Sequence, residues 1–317
     1  DRSVSRGLGD VYKRQDIDCL IWEGDCMITE YILQFDEFLR SVAQNSNARY
    51  SFLLGAGASV ESGIPSAQEC IWDWKCKIFI SNNSSLARTH SNFRNEKVRR
   101  NVQNWIDAQP RFPALNSEEE YSYYAEKAYP IEADRRKYFE DLIIGKRPSI
   151  GYHILMLLAQ KEFVKSIWTT NFDGFSVKTA HQYDLVPIEI TLESQARIYK
   201  TDVVKEILCI ALHGDYKYGK LKNIANELDS QDDILVKALK HEVHNRNFIV
   251  MGYSGRDKSL MDAIKNVYAE PGAGRLYWCG YGNTIPVAVS NLLTEIREKG
   301  REAYYLSLIH ISEPTRH

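Results

Sequence analysis

The sequence predicts an α/β protein: an open parallel sheet with helices on both faces and a helical insertion. Short apolar runs of strand length alternate with helical stretches along most of the chain, the pattern of a parallel sheet covered by its crossover helices. Several of those runs end directly in glycine-bearing or polar turns, notably "GAGAS" and "GYSGRD". Between residues 67 and 150 the alternation stops, and a segment rich in Trp, Tyr, Asn and Arg carries helical stretches without a clear strand.

In chain order, residues 29–43 place Ile32, Phe35, Phe38, Leu39 and Val42 on one helical stripe. A strand follows at 50–54. The insertion, 67–150, is expected to hold helices near 68–80, 96–108 and 118–144 and to fold over the sheet as a small second lobe. Beyond it come a helix at 151–161, a strand at 163–169, a helix starting near Gly174, and strands at 186–190 and 207–212. A surface helix around "HEVH", a strand at 247–252, a helix at 259–269 and strands at 275–279 and 302–306 complete the series. Residues 1–15 and 307–317 match neither the periodicity nor the texture of the rest and are read as foreign tails. The native part is accordingly expected to be a single domain over 27–306, with Met27 as its expected start and its natural carboxyl end expected to be missing.

Composition narrows the function classes. With 317 residues, 44% hydrophobic and 26% charged, the chain has the make-up of a soluble globular protein. Its apolar run "ILMLLA" is far too short to cross a bilayer. Forty basic against 42 acidic residues give a net charge of −2, with no long basic run, so nucleic acid is not indicated as a partner. Six scattered cysteines without a CxxC pair read as reduced, cytoplasmic thiols rather than a zinc ribbon, and no metal is expected.

The stretch "FLLGAGASVESGIPS", 52–66, delivers a strand to two glycines one residue apart. Small residues before a helix start permit close backbone approach to an anion. The dinucleotide fingerprint is met only by Gly55 and Gly57, since Val60 stands where its third glycine belongs, and no GK[ST] follows. From this loop alone a tight strand-to-helix turn and a nucleotide site are equal readings. "TTNFD" (169–173), "LHGD" (212–215) and "VMGYSGRD" (250–257) each end a predicted strand. In an open parallel sheet such ends share one edge, so these residues should converge on the glycine loop.

Taken in order, "GAGAS…SGIPS", "TTNFD", "LHGD" and "GYSGRD" resemble the sirtuin family, more specifically its bacterial branch of NAD-consuming defence proteins; the resemblance spans about 50–282. It implies a Rossmann-like fold, NAD as substrate, and attack on the bond between nicotinamide and ribose. It further implies that Gly55, Ala56, Gly57 and Ser59 hold the pyrophosphate, that Ile64 and Pro65 wall the nicotinamide pocket, and that Thr170 lies beside the cofactor. Asn171 would hold the ribose hydroxyl or the attacking water, Asp173 would meet the carboxamide, and His213 would act as base. Gly252 and Ser254 would complete the cradle, and Gly280 would lie near the adenine end. The chain departs from sirtuin deacylases in lacking Phe-Arg after its GIP turn, Gln before Asn171, and the four-cysteine zinc ribbon. With no acyl-lysine acceptor in evidence, water becomes the nucleophile.

Other residues carry plainer readings. Asn171 and Asp173 are also good caps for the helix near Gly174, and Asp257 reads as the cap of "KSLMDAI". "GYSGR" fails the nucleophile elbow at Arg256. "RNEKVRR" and "RRK" (135–137) read as solvated helix faces, and Trp278 and Tyr281 are equally core or adenine-proximal. The function expected is an NAD glycohydrolase, an antiphage effector controlled by homo-oligomerisation or by a further domain or partner. A non-catalytic NAD or ADP-ribose sensor is the alternative, followed by a deacylase or ADP-ribosyltransferase. A dehydrogenase would need an acidic ribose ligand ~20 residues past the glycines, and none stands there.

Overall fold

The computed structural model describes residues 31–86, 95–117, 119–191, 194, 203–212, 233–280 and 284–308. Among them, eight strands form one sheet in which every neighbouring pair is parallel. In chain order they are β1 (Ile32–Leu33), β2 (Tyr50–Leu54), β3 (Val164–Thr169), β4 (Val186–Ile190), β5 (Glu206–Ala211), β6 (Asn247–Met251), β7 (Leu276–Gly280) and β8 (Ala303–Ser307). Their order across the sheet is β1-β8-β7-β6-β2-β3-β5-β4, the Rossmann-like arrangement expected. Strand β8 includes Ser307, one residue past the predicted boundary of the native chain.

Strand β2 is buried along its whole length, as a central parallel strand covered on both faces must be. Its side chains alternate between two cores: Phe52 and Leu54 enter one, Leu53 the other. On the first face lie α1 (Phe35–Gln44), α6 (Ile150–Gln160), α7 (Phe175–Ala180) and the insertion helices. On the second lie α8 (Asp233–Asn245), α9 (Lys258–Tyr268) and α10 (Val287–Glu298).

The first helix starts later than its stripe predicts. Gln34 is extended (φ −75°, ψ 153°), and Ile32 pairs with Tyr305 as a sheet-edge strand instead of entering the helix. Phe35, Phe38 and Val42 do face the core, whereas Leu39 is 49% exposed.

The insertion holds α2 (Ala67–Asn82), α3 (Glu96–Asp107), α4 (Glu120–Ala128) and α5 (Glu132–Ile143). The single helix expected over 118–144 is two. Pro130 forces Tyr129 out of the helical region (φ −137°, ψ 81°). Arg135, read from the sequence as part of a solvated face, is 4% exposed and donates from Nη1 to the carbonyls of Tyr129 (2.9 Å) and Pro130 (3.2 Å). It thereby satisfies carbonyls where α4 ends. Lys75 and Glu120 form a buried ion pair between α2 and α4 at 2.5 Å. Lys75 also donates to Gln103 Oε1 on α3 (3.2 Å), and Glu120 accepts from the Asn116 amide (2.8 Å).

"HEVH" is helical, but Glu242 is 5% exposed and faces the sheet, accepting from Ser166 Oγ (3.0 Å) and Arg246 Nη1 (2.8 Å); His241 and His244 are exposed. Cys70, Cys76, Cys209 and Cys279 are buried free thiols. Burial pushes those of Cys70, Cys76 and Cys279 up to about 12, so they remain protonated. Among the described residues no helix is long and apolar enough to cross a membrane.

Candidate functional site

From β2 the chain moves to β3 on one side and later to β6 on the other. The carboxyl ends of these three strands therefore border a crevice where the strand order reverses, the usual ligand position in open parallel sheets. Leu54, at the end of β2, accepts from Thr170 N (3.1 Å) and Thr169 Oγ1 (3.0 Å), and Thr169 Oγ1 accepts from Asn171 N (3.0 Å). These bonds fix the turn that aims "TTNFD" at the glycine loop.

A cleft of about 330 Å³ opens there. Ala56, Gly57, Ser59, Ile64 and Pro65 line it from the glycine loop, Thr170, Asn171 and Asp173 from the turn after β3, and Gly252 and Ser254 from the turn after β6. Of the other sequence-derived residues, Gly55 lies behind this lining and Gly280 stands away from it: a Cβ on Gly280 would strike the Tyr305 hydroxyl, which explains the glycine there. His213 and Tyr281 lie outside the described residues, and Trp278 is a core residue against Tyr253.

Ser59 is the centre of a buried polar network. Its hydroxyl donates to Asp173 Oδ2 (2.6 Å) and accepts from Asn171 Nδ2 (3.1 Å) and from the Tyr152 hydroxyl (2.8 Å). One donor and two lone pairs are thus all used. Burial, and then the nearby Asp173 charge, push the Tyr152 hydroxyl upward, so it keeps its proton and is the donor to Ser59. Asn171 Nδ2 also donates to the Gly55 carbonyl (3.0 Å), and Asp173 Oδ1 accepts from Phe175 N (2.9 Å) at the start of α7. Asp173 accordingly caps the helix and holds the serine at once. Sequence reasoning missed Tyr152. Its only signal was a hydroxyl on the apolar stripe it shares with Leu155, Met156 and Ala159 of α6, since a buried tyrosine requires a polar partner.

The glycines have a cause other than ligand approach. A Cβ on Gly57 would sit 2.8 Å from Gly252 Cα, one on Gly55 2.5 Å from the Gly252 carbonyl, and one on Gly252 would strike the Ala58 amide. The loops after β2 and β6 pack backbone to backbone, with Gly55 N donating to Met251 O (2.9 Å) and Gly57 N to Gly252 O (2.8 Å). The expected helix start is a seven-residue 3₁₀ segment, Ala56–Ser62, ended by Gly63 at φ 79°. Because Gly252 combines φ 64° with this contact, Gly252→Ala is expected to lower unfolding free energy by about 3 kcal/mol or more. Urea denaturation monitored by tryptophan fluorescence checks it.

Two further features went unread in the sequence. The insertion supplies an apolar wall of Cys70, Tyr121, Phe139, Leu142 and Ile143, with the rings of Phe139 and Phe172 in tilted contact, centroids 4.8 Å apart, between lobe and sheet. Arg256, Asp257 and Gln68 also line the cleft. Asp257 caps α9 as predicted, its Oδ1 accepting from Leu260 N (3.1 Å) and Ser259 Oγ (2.9 Å). Where the sequence reads "GIPSAQE", Ser66 and Glu69 form a capping box that starts α2 and brings Gln68 to the mouth. The cleft thus combines an apolar wall, a fixed set of hydroxyl, amide and carboxylate groups, and one guanidinium. Such a lining suits a ligand with an aromatic part, sugar-like hydroxyls and an anion. Among the described residues no group of three or more His, Cys, Asp or Glu is placed to hold a metal ion.

Residues 165–309 match the family model of the SIR2-like domain. Similar solved structures include one described as "Structural Basis for the Mechanism and Regulation of Sir2 Enzymes", 15% identical over 83% of this chain and 98% of that one, with a TM-score of 0.41. Another is a Sir2 homologue mutant in complex with ADP ribose, 16% identical over 82% of this chain and 96% of that one, TM-score 0.40. No curated protein matches.

Proposed function

Starting from a chain that is sirtuin-like over residues 165–309, we propose that it is an NAD glycohydrolase. Water attacks the anomeric carbon of the nicotinamide riboside half of NAD, the bond to nicotinamide breaks, and nicotinamide, ADP-ribose and a proton are released. The observation that carries this reading is the Ser59-centred network of Asn171, Asp173 and Tyr152, which draws two of the ordered motifs to one edge of an apolar cleft.

Nicotinamide leaves as a neutral molecule from a cationic ring, so no acid is required. Catalysis rests on stabilising a cationic sugar and positioning a nucleophile. Ile64, Pro65 and the apolar wall enclose the ring and exclude bulk water. Asp173, fixed by Ser59 and Phe175 N, meets the carboxamide, while Asn171, fixed by its own amide group, presents its oxygen to the ribose hydroxyl or water. His213 takes the proton, which an imidazole with an ordinary pKa of ~6.5 does near neutral pH. In the same reading the enzyme works in the cytoplasm as a homo-oligomeric antiphage effector and is held inactive until triggered.

The test is incubation of the purified chain with NAD, with nicotinamide and ADP-ribose resolved by chromatography. The expected result is equimolar release by the parent chain and at least a hundredfold less from His213→Ala. Binding of NAD without turnover would replace the hydrolase with a sensor; acceleration only on adding an acyl-lysine peptide would replace it with a deacylase.

A further inference from the structure

We propose that Arg256 is the anion-recognition residue of this cleft and that it selects ligands carrying a diphosphate. The proposal rests on the NAD reading for the ligand's identity, although the site itself is argued from charge. In the glycine loop, the amides of Gly55, Gly57 and Ala58 already donate to Met251 O, Gly252 O and Gly55 O. The side-chain-free backbone of Gly55 and Gly57 is required by packing against Gly252. Those three amides are therefore not on offer to an anion entering here, and a side-chain cation is the stronger partner.

Among the described residues that line the cleft, Arg256 is the one lysine or arginine. It is half-buried, which strengthens its interaction with an anion relative to a solvated cation. The cleft's two carboxylates are engaged elsewhere: Asp173 with Ser59 and Phe175 N, Asp257 with Ser259 and Leu260 N. No ion pair within 4.0 Å joins Arg256 to a carboxylate among the described residues. Its guanidinium faces Gln68 across the mouth. With the Gln68 amide oxygen turned toward it, that oxygen accepts from both Nη2 and Nη1, the latter at 2.8 Å. A neutral amide on the exposed opposite wall is a partner that a phosphate displaces readily, because a guanidinium forms shorter and stronger paired bonds with an anionic oxygen pair.

Calorimetric titration of the full chain with ADP-ribose, inorganic pyrophosphate and adenosine tests this. Arg256→Gln should weaken ADP-ribose and pyrophosphate roughly ten- to hundredfold and leave adenosine unchanged. Arg256→Lys, which retains charge but not the planar fork, should fall between. Gln68→Ala, which removes the competing acceptor, should bind ADP-ribose at least as tightly as the parent. Unfolding curves alongside confirm that each variant is folded. Equal ADP-ribose affinity in parent and a folded Arg256→Gln overturns the proposal. Arg256-dependent binding of pyrophosphate without binding of ADP-ribose upholds the anion site and removes the NAD reading instead.

Discussion

Replacing Asn171 by alanine is expected to lower the turnover of NAD at least about a hundredfold, the scale on which one preorganised polar group acts at a reacting centre. Asn171 is 9% exposed, and its amide donates to Gly55 O and to Ser59 Oγ. Those bonds hold the side chain in one orientation, so that its oxygen is presented without reorganisation. The substitution also leaves two buried acceptors short of a donor, at about 1–3 kcal/mol of stability. The two effects separate experimentally. Turnover at saturating NAD and urea unfolding are measured on the same preparation; a hundredfold loss in kcat at a concentration where the variant remains folded supports the catalytic assignment. A kcat within tenfold of the parent, together with reduced stability, would make Asn171 only the strut between the turn after β3 and the glycine loop.

The largest effect on stability is expected from the insertion. Glu120→Ala should cost about 3–5 kcal/mol, because it leaves Lys75 charged in a site where both side chains are at most 2% exposed. The cost comes from the stranded charge more than from the lost pair. Accordingly the double variant Lys75→Met, Glu120→Leu should recover most of the loss. Equilibrium urea denaturation of the three proteins checks this. A Glu120→Ala cost below about 1 kcal/mol, typical of solvated pairs, would refute the expected effect. Tyr121, next to Glu120 on α4, lines the cleft, so loosening this pair should also weaken ADP-ribose binding, which the same titrations would record.

The sheet was legible because its strands are short buried runs whose neighbours on both faces demand apolar residues, as "SFLL" and "FIV" show. The turn after β3 was legible as a helix start too, since Asp at a strand end is a good cap and Asp173 accepts from Phe175 N. What stayed hidden depends on contacts distant in the chain. Strand β1 is two residues that, among the described residues, pair with β8 at the other end of the chain. Arg135 looked solvated because nothing local shows that it turns back onto the Tyr129 and Pro130 carbonyls. Tyr152 reaches Ser59 across 93 positions. The glycines were noticed for a sound reason and given an incomplete cause: "GAG" signals close approach, and the approaching group is Gly252 of a neighbouring loop. The insertion's contribution to the cleft was not readable, because a helical segment's apolar face does not say which cavity it borders.

The contact between Gly57 and Gly252 has a mechanical consequence. Two loops from adjacent strands, joined by amide-to-carbonyl bonds and with no side chain between them, move as one piece. The sheet side of the cleft is therefore a fixed anvil. Any change in the width of the mouth falls to the opposite jaw, the helices carrying Gln68, Tyr121 and Phe139. On the proposed reading of Arg256, selectivity for charge is set on the stationary side, and the rate of passage on the side that yields.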